Sequence, residues 1–405
     1  MFPQPFGKFT RRLQFLAITL CIPCNFNLHG QDTLEEKSSK AEPERLVHNS
    51  TDRKGFPDNA FEYTKIIEEH LGVPPRVVLD DSIEIPIYVN GKQSYGNFGN
   101  QCDNPTYLGK ETISGSTLQR YEGRAANGTP LPHVVWVSFG RNSSDDHRRV
   151  VGSVQMIGYN RKTGATAFFE SSDRISQWVT LDRGTLRMRG TLPWIDDPEQ
   201  FNRAFRTPGT TQCVQCHQND PFITNDFITA AKLPDTQTPV VPILDQDSPY
   251  FVLGGEDWDM RTLHARDNAC LDCHRIGMST LSLFMRNGWD PNEHMPPNNP
   301  GSLADDLKAL IKIWNEGPEK TEGANWVIPP MNGQPMKSVA NDYPNQAFFN
   351  DPNHSPLPVD KQTSPTNIAN ESKRQSLSKQ LKAMVDTGTL SKQEAEEIFQ
   401  SAFSD

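Results

Sequence analysis

Two five-residue stretches hold the side chains whose types and spacing point most directly to chemistry. Each has two cysteines three positions apart and then a histidine; they are Cys213-Val214-Gln215-Cys216-His217 and Cys270-Leu271-Asp272-Cys273-His274. Cysteines at this spacing lie on one side of a helical turn, so both sulfurs can reach the vinyl groups on one porphyrin edge. The histidine that follows can place a ring nitrogen on the iron. The pattern C-x-x-C-H is the attachment signature of a c-type haem.

The sequence therefore predicts two haem c groups, each containing iron. The predicted thioether residues are Cys213, Cys216, Cys270 and Cys273, and the predicted proximal iron ligands are His217 and His274. A zinc site or a disulfide stays open as the alternative for these cysteines. The 53 residues between the two pairs (217–269) exceed the usual zinc-ribbon loop, and no βαβ pattern surrounds either pair as in thioredoxin-like proteins.

Whole-chain composition narrows the classes of partner. The chain has 405 residues, a formal net charge of −10 and 32 prolines, and only 35% of its residues are apolar. An acidic chain is a poor match for nucleic acid, which binds proteins through cationic side chains, so no nucleic-acid partner is expected. The many prolines and the low apolar content predict long irregular segments.

Cys102 is the one cysteine between the N-terminal thirty residues and the two motifs, so it has no evident partner for a disulfide. It is interpreted as a small buried apolar residue, with a reactive thiol or a haem ligand as alternatives.

The N-terminus has the pattern of an export signal. Lys8, Arg11 and Arg12 precede an apolar run from Leu13 to Cys24, which is too short to span a bilayer. This predicts a secreted or periplasmic protein with peripheral or no membrane association. No A-x-A cleavage pattern follows the apolar run, so an uncleaved anchor is the alternative.

The predicted fold class is α+β, with a β-rich N-terminal module followed by a mostly α-helical, loop-rich di-haem cytochrome c region. Alternating apolar residues and an Asn160–Gly164 turn predict a hairpin of Val150–Tyr159 and Ala165–Phe169 in the β-rich module. The predicted segments are a signal peptide (1–30), a linker with a short helix (31–75), the β-rich module (76–195), the di-haem region (196–320), a polar strap (321–374) and a helical hairpin (375–405).

Several predicted helices would position the motifs. Helices over Pro198–Phe205 and Trp258–Arg266 precede the first and second motifs, and Arg275–Arg286 follows the second. Ser302–Asn315 has apolar residues on one face and is expected to begin with Ser302 as its cap and to end at Gly317. Phe222 and Phe227, which follow the first motif, are interpreted as packing against a haem edge or simply in the core.

The stretch from about Ala269 to Gly317 resembles the single-haem class I cytochrome c fold. It has C-x-x-C-H, a helix, a loop with Met295-Pro296-Pro297 and an amphipathic helix carrying Trp314. In that family the loop methionine is the distal iron ligand and an aromatic residue of the last helix packs near the haem. The resemblance implies Met295 as the distal ligand of the second haem, with His294 as the alternative. Only 20 residues (275–294) separate His274 from Met295, so part of the family's usual loop is missing.

The distal ligand of the first haem is less determined. Met260 is the leading candidate and His264, four residues later on the same predicted helix, is the alternative. The remaining alternatives are His133, at the start of a predicted strand, and an iron with no distal protein ligand.

These predictions favour an exported di-haem c-type cytochrome that transfers electrons between redox-partner proteins. Two alternatives stay open. One is a haem enzyme resembling the di-haem peroxidases, in which two C-x-x-C-H motifs are separated by a much longer stretch. The other is a haem-bearing subunit of a larger complex. The sequence contains no residue that identifies the partner.

Overall fold

Residues along the central strands alternate between two buried faces, and this alternation builds the fold. The structure is a computed structural model that describes residues 55–107, 112–142, 152–210, 213–255, 258–272, 274–277 and 303–339, and positions 281, 381, 385, 391 and 393. These belong to one compact unit. None of the helices in these ranges combines the length and apolar character that a bilayer span needs.

The main sheet has seven strands. In spatial order they are β1 (Ile83–Glu84), β4 (Thr117–Arg124), β5 (Pro130–Arg141), β6 (Ser153–Asn160), β7 (Ala165–Ser171) and β10 (Phe205–Arg206), with β11 (Phe251–Val252) also pairing with β7. The pairs from β4 to β7 are antiparallel. The β6–β7 hairpin predicted from the turn around Asn160–Gly164 is confirmed.

One face of the sheet packs against helices. Trp136, Met156 and Phe169 point to this side and are buried with the apolar faces of α1 (Ala60–Leu71) and α2 (Pro198–Ala204). The predicted short helix within residues 31–75 corresponds to α1, and the predicted helix Pro198–Phe205 corresponds to α2. Each begins with a side-chain cap, Asn59 for α1 and Asp197 for α2.

The opposite face of the sheet covers the first motif. Val135, Val137, Ile157 and Phe168 alternate with the residues of the helical face and form a second core with Trp258, Met260 and residues around the motif. We call this the motif face. Phe222 and Phe227 are buried in it, and α4 (Asp226–Ala230) begins after Asn225, whose side chain accepts from the Ile228 amide.

Strand β7 holds both ends of the segment that contains the first motif. β10 pairs with it antiparallel at Glu170–Ser171, and β11 pairs with it parallel at Ala165–Thr166. Residues 207–250 therefore leave the sheet and return to the same strand. Two short hairpins complete the module, β2 (Ile87–Val89) with β3 (Lys92–Ser94), and β8 (Val179–Leu181) with β9 (Met188–Gly190).

A smaller sheet packs beside the second motif. β12 (Thr262–Ala265), β13 (Ala324–Ile328) and β14 (Lys337–Val339) are antiparallel, and their apolar residues meet α5 (Ala304–Glu316) in a third core that contains Leu263, Trp314 and Trp326. α5 confirms the predicted amphipathic helix and its end at Gly317. Its N-cap residue is Leu303, and Ser302, the predicted cap, lies outside the described residues.

The predicted mostly α-helical di-haem region, and with it the predicted fold class, is wrong because the chain after residue 196 also contributes strands. The predicted helix Trp258–Arg266 contains strand β12 instead, in which Leu263 is buried and His264 is exposed. Leu263 pairs with Trp326 of β13 across the small sheet. Residues 275–277 are not helical, and most of Arg275–Arg286 lies outside the described residues.

Candidate haem-binding site

The first motif forms a single helical turn, α3 (Val214–His217). Cys213 has helical backbone angles, and its carbonyl accepts from the amides of Cys216 at 3.2 Å and His217 at 2.9 Å. The sequence predicted this turn from the cysteine spacing. It is the local conformation that lets two thioether bonds and an adjoining imidazole serve one porphyrin.

Three contacts hold His217, two of them to its ring and one to its backbone. The His217 ring lies against the Phe168 ring with centroids 4.9 Å apart. Its Nδ1 is 3.3 Å from the carbonyl oxygen of Asp220, and the hydroxyl of Tyr250 donates to its backbone carbonyl. Burial lowers the pKa of His217 to about 4, so the ring is neutral at pH 7. A proton on Nδ1 directed at the Asp220 carbonyl leaves the lone pair of Nε2 for a metal.

Aromatic residues attach this turn to the motif face. Phe168 is stacked on Trp258 with centroids 5.8 Å apart and an interplanar angle of 7°. The indole Nε1 of Trp258 donates to the carbonyl of Gln218 at 3.0 Å. Phe168 therefore lies between His217 and Trp258 and connects the motif to strand β7.

The cysteines in the described residues are thiols held in apolar surroundings. Cys102, Cys216 and Cys270 are free thiols and each is partly buried. Burial raises the pKa of Cys216 to about 11 and of Cys270 to about 12. Burial also raises the pKa of Cys102, which is half-buried at the margin of the motif face. Cys273 lies outside the described residues.

The second motif begins in a 3-10 turn, Ala269–Asp272, that α5 holds in place. Asp306 at the start of α5 accepts from the Ala269 amide through its carboxylate and from the Asn268 side chain through its carbonyl, both at 2.9 Å. The His274 amide donates to the Cys270 carbonyl at 3.1 Å. The cysteine and histidine are thus brought together by one turn, as in the first motif.

His274 has a buried ring nitrogen that nothing in the described part of the chain satisfies. Its Nε2 is inaccessible to solvent and has no hydrogen-bond partner there. Burial lowers the pKa of His274, which favours the neutral ring. A buried polar atom without a partner costs free energy, and metal coordination would satisfy a neutral imidazole nitrogen. The residues present therefore fit a haem iron at this position.

The segment after His217 contacts the segment after His274. Arg275 donates from Nε to Asp220 Oδ1 at 2.8 Å, and its Nη1 donates to the Ser248 carbonyl at 2.8 Å. Gly277 lies so close to the first motif that an added Cβ would be 2.5 Å from the Gln218 side-chain oxygen. The two motifs, which are far apart in sequence, are therefore neighbours.

The distal-ligand candidates fall in different places. Met260 is buried on the motif face, whereas His264 is exposed on β12 and His133 is exposed on β5. Because residues 262–265 form a strand, His264 does not share a helical face with Met260 as predicted. Met295 and His294 lie outside the described residues.

Sequence reasoning missed four residues that position the first motif: Phe168, Asp220, Tyr250 and Arg275. Asp220 lies just after the first motif, where no motif residue is expected. Phe168 and Tyr250 reach the motif through the pairing of β7 and β11, which no local pattern reveals. Arg275 follows directly after the second motif, and its position there was the only available signal.

Among the described residues there is no group of three or more His, Cys, Asp or Glu side chains that could hold a metal ion. A haem iron does not need such a group, because the porphyrin supplies four of its ligands. Comparison of the chain with protein-family models, curated proteins and solved structures gives no match.

Proposed function

We propose that this chain is an exported c-type cytochrome that carries two covalently attached haems and transfers electrons between redox-partner proteins. The proposal is supported by two C-x-x-C-H motifs, by the turn at each motif and by two half-buried histidines whose pKa values burial lowers. A bound haem would supply the one-electron change of its iron. The protein would supply the attachment, orientation and shielding.

The observation that carries the proposal is the buried Nε2 of His274, which has no hydrogen-bond partner in the described chain. A histidine retained for packing alone would be expected to direct this nitrogen to an acceptor, a donor or solvent. A proximal iron ligand needs it to be neutral, buried from solvent and unoccupied by other protein groups. Within the described part of the chain, all three conditions apply to His274.

Each residue of the first motif's surroundings has a defined part in this proposal. The Asp220 carbonyl accepts from Nδ1 of His217 and so keeps the tautomer in which Nε2 can bind iron. Phe168, which is itself stacked on Trp258, excludes water from the face of the His217 ring that it contacts. Met260, buried on the same face, is the favoured distal ligand because the competing histidines are exposed.

The contact between the two motifs supports electron exchange between the two haems. Arg275 and Asp220 connect the residues just after His274 and His217. Groups attached at motifs so close together would influence each other's reduction. Two couples that titrate independently in potentiometry would contradict this part of the proposal.

The experiment is to express the full chain in a host that attaches haem c and to measure intact mass and absorption. We expect the mass of two haems on the exported chain. The paired variants C213A/C216A and C270A/C273A should each lose one haem, and C102A should keep both. A colourless wild-type protein of unmodified mass would overturn the proposal.

A further inference from the structure

We propose that Arg275, which directly follows the histidine of the second motif, is the positioning residue for the histidine of the first motif. This inference rests on the proposed function and assigns within it a role that the motifs themselves do not reveal.

Arg275 reaches His217 through one short chain of contacts at the Asp220 turn. Its Nε donates to the Asp220 carboxylate at 2.8 Å, and the backbone carbonyl of the same Asp220 lies 3.3 Å from Nδ1 of His217. The guanidinium therefore holds the turn that offers the carbonyl to the imidazole. A ring whose Nδ1 is directed at a carbonyl has a fixed tautomer and orientation.

A second chain of contacts runs from Arg275 to the backbone of the same histidine. Nη1 of Arg275 donates to the Ser248 carbonyl at 2.8 Å. Two residues later, the hydroxyl of Tyr250 donates to the His217 carbonyl. One guanidinium thus anchors two of the segments that contact His217, the turn after the motif and the approach to β11.

The burial of these groups makes the arrangement specific. The Arg275 side chain is 5% exposed and that of Asp220 is 26% exposed. Arginine suits this place because its planar fork donates in two directions at once, whereas the single ammonium of lysine cannot reproduce both directions. The same two segments also meet at an uncharged contact, where Gly277 packs closely against the Gln218 side chain. The ion pair of Arg275 and Asp220 is therefore not the sole contact between the two motifs.

The test compares ferric EPR spectra of the full-length, haem-loaded variants R275Q, R275K and D220N. The g values of a low-spin haem depend on the orientation of its axial ligands. The C213A/C216A protein assigns the signal of the second haem, and the remaining wild-type signal belongs to the first. R76Q, which breaks the exposed Arg76–Asp196 pair, is the matched control.

We expect R275Q, R275K and D220N to shift the g values of the first haem, and D220N and R76Q to leave those of the second haem unchanged. An unchanged first-haem signal in R275Q would overturn the inference. So would a wild-type signal in R275K beside a shifted one in R275Q, because charge alone would then be responsible. Should R275Q fail to fold, as judged by far-UV circular dichroism, R275K and D220N decide.

The failure of this inference differs from the failure of the proposed function. A wild-type chain without attached haem gives no signal and removes the function. A wild-type chain with two haems and insensitive g values removes only the role of Arg275.

Discussion

The ring of Phe168 lies against the imidazole of His217, with centroids 4.9 Å apart and planes inclined by 34°. Phe168 belongs to the central sheet and His217 to a single turn of helix, so this contact attaches the candidate haem site to the main sheet. Its other side is stacked on Trp258.

Replacing Phe168 by alanine should therefore affect stability and the site together. The side chain is only 2% exposed, and its loss should lower the free energy of unfolding by about 3–5 kcal/mol, which denaturant unfolding measures. It should also broaden the absorption bands of the first haem, because His217 loses its support. Tyr95, which is 51% exposed, is the control, and Y95A should cost little. Equal effects of F168A and Y95A would contradict the role of Phe168.

Replacing His274 by alanine separates attachment from ligation. The cysteines remain, so H274A should keep the mass of two haems, yet one iron should change from low to high spin in EPR because its proximal nitrogen is gone. His264 offers a matched control, since its side chain is exposed on strand β12. H264A should keep both low-spin signals. A low-spin second haem in H274A would remove His274 as its ligand.

Replacing Met260 by leucine tests the distal ligand of the first haem. The two side chains have similar volume, so the free energy of unfolding should change by less than about 1.5 kcal/mol. The thioether is lost, however, and the first haem should acquire an open position that binds cyanide, as followed by absorption. Met156 is fully buried on the opposite face of the sheet, and M156L should show no such binding. Cyanide binding by the unaltered protein would instead favour the peroxidase-like alternative.

Removing Asp259 should expose the cost of a buried charge between the motif face and the third core. Asp259 pairs with Arg261 at 2.6 Å, and Arg261 is 0% exposed and lies over the Trp326 ring. D259A should lower the free energy of unfolding by about 3–5 kcal/mol, since the arginine loses its carboxylate inside the protein. The exposed pair of Arg76 and Asp196 is the comparison, and D196A should cost about 1 kcal/mol or less. Similar losses in urea unfolding would contradict this account.

The parts of the fold that sequence reasoning predicted correctly are those fixed by neighbouring residues. Helix α1 has its cap at Asn59 and ends before Gly72, and the β6–β7 hairpin has its turn between the two strands. The turn at each motif follows from the spacing of cysteine and histidine. In all these cases the deciding contacts lie within a few residues.

The parts that could not be predicted depend on distant partners. Residues 262–265 were predicted to be helical, but they form strand β12 because they pair with β13. That strand begins only at Ala324, so the pairing that decides their conformation is distant in sequence. The contact of Asp220 with Arg275 spans 55 positions. Neither is encoded in a local period, so the residues that orient His217 became visible only in three dimensions.

The return of residues 207–250 to the strand they left has a consequence for proteolysis. β10 and β11 tie the beginning and the end of this excursion to β7. After a single cut between them, one fragment would keep β10 paired with β7 and the other would keep β11. The two fragments should therefore stay together in a nicked molecule.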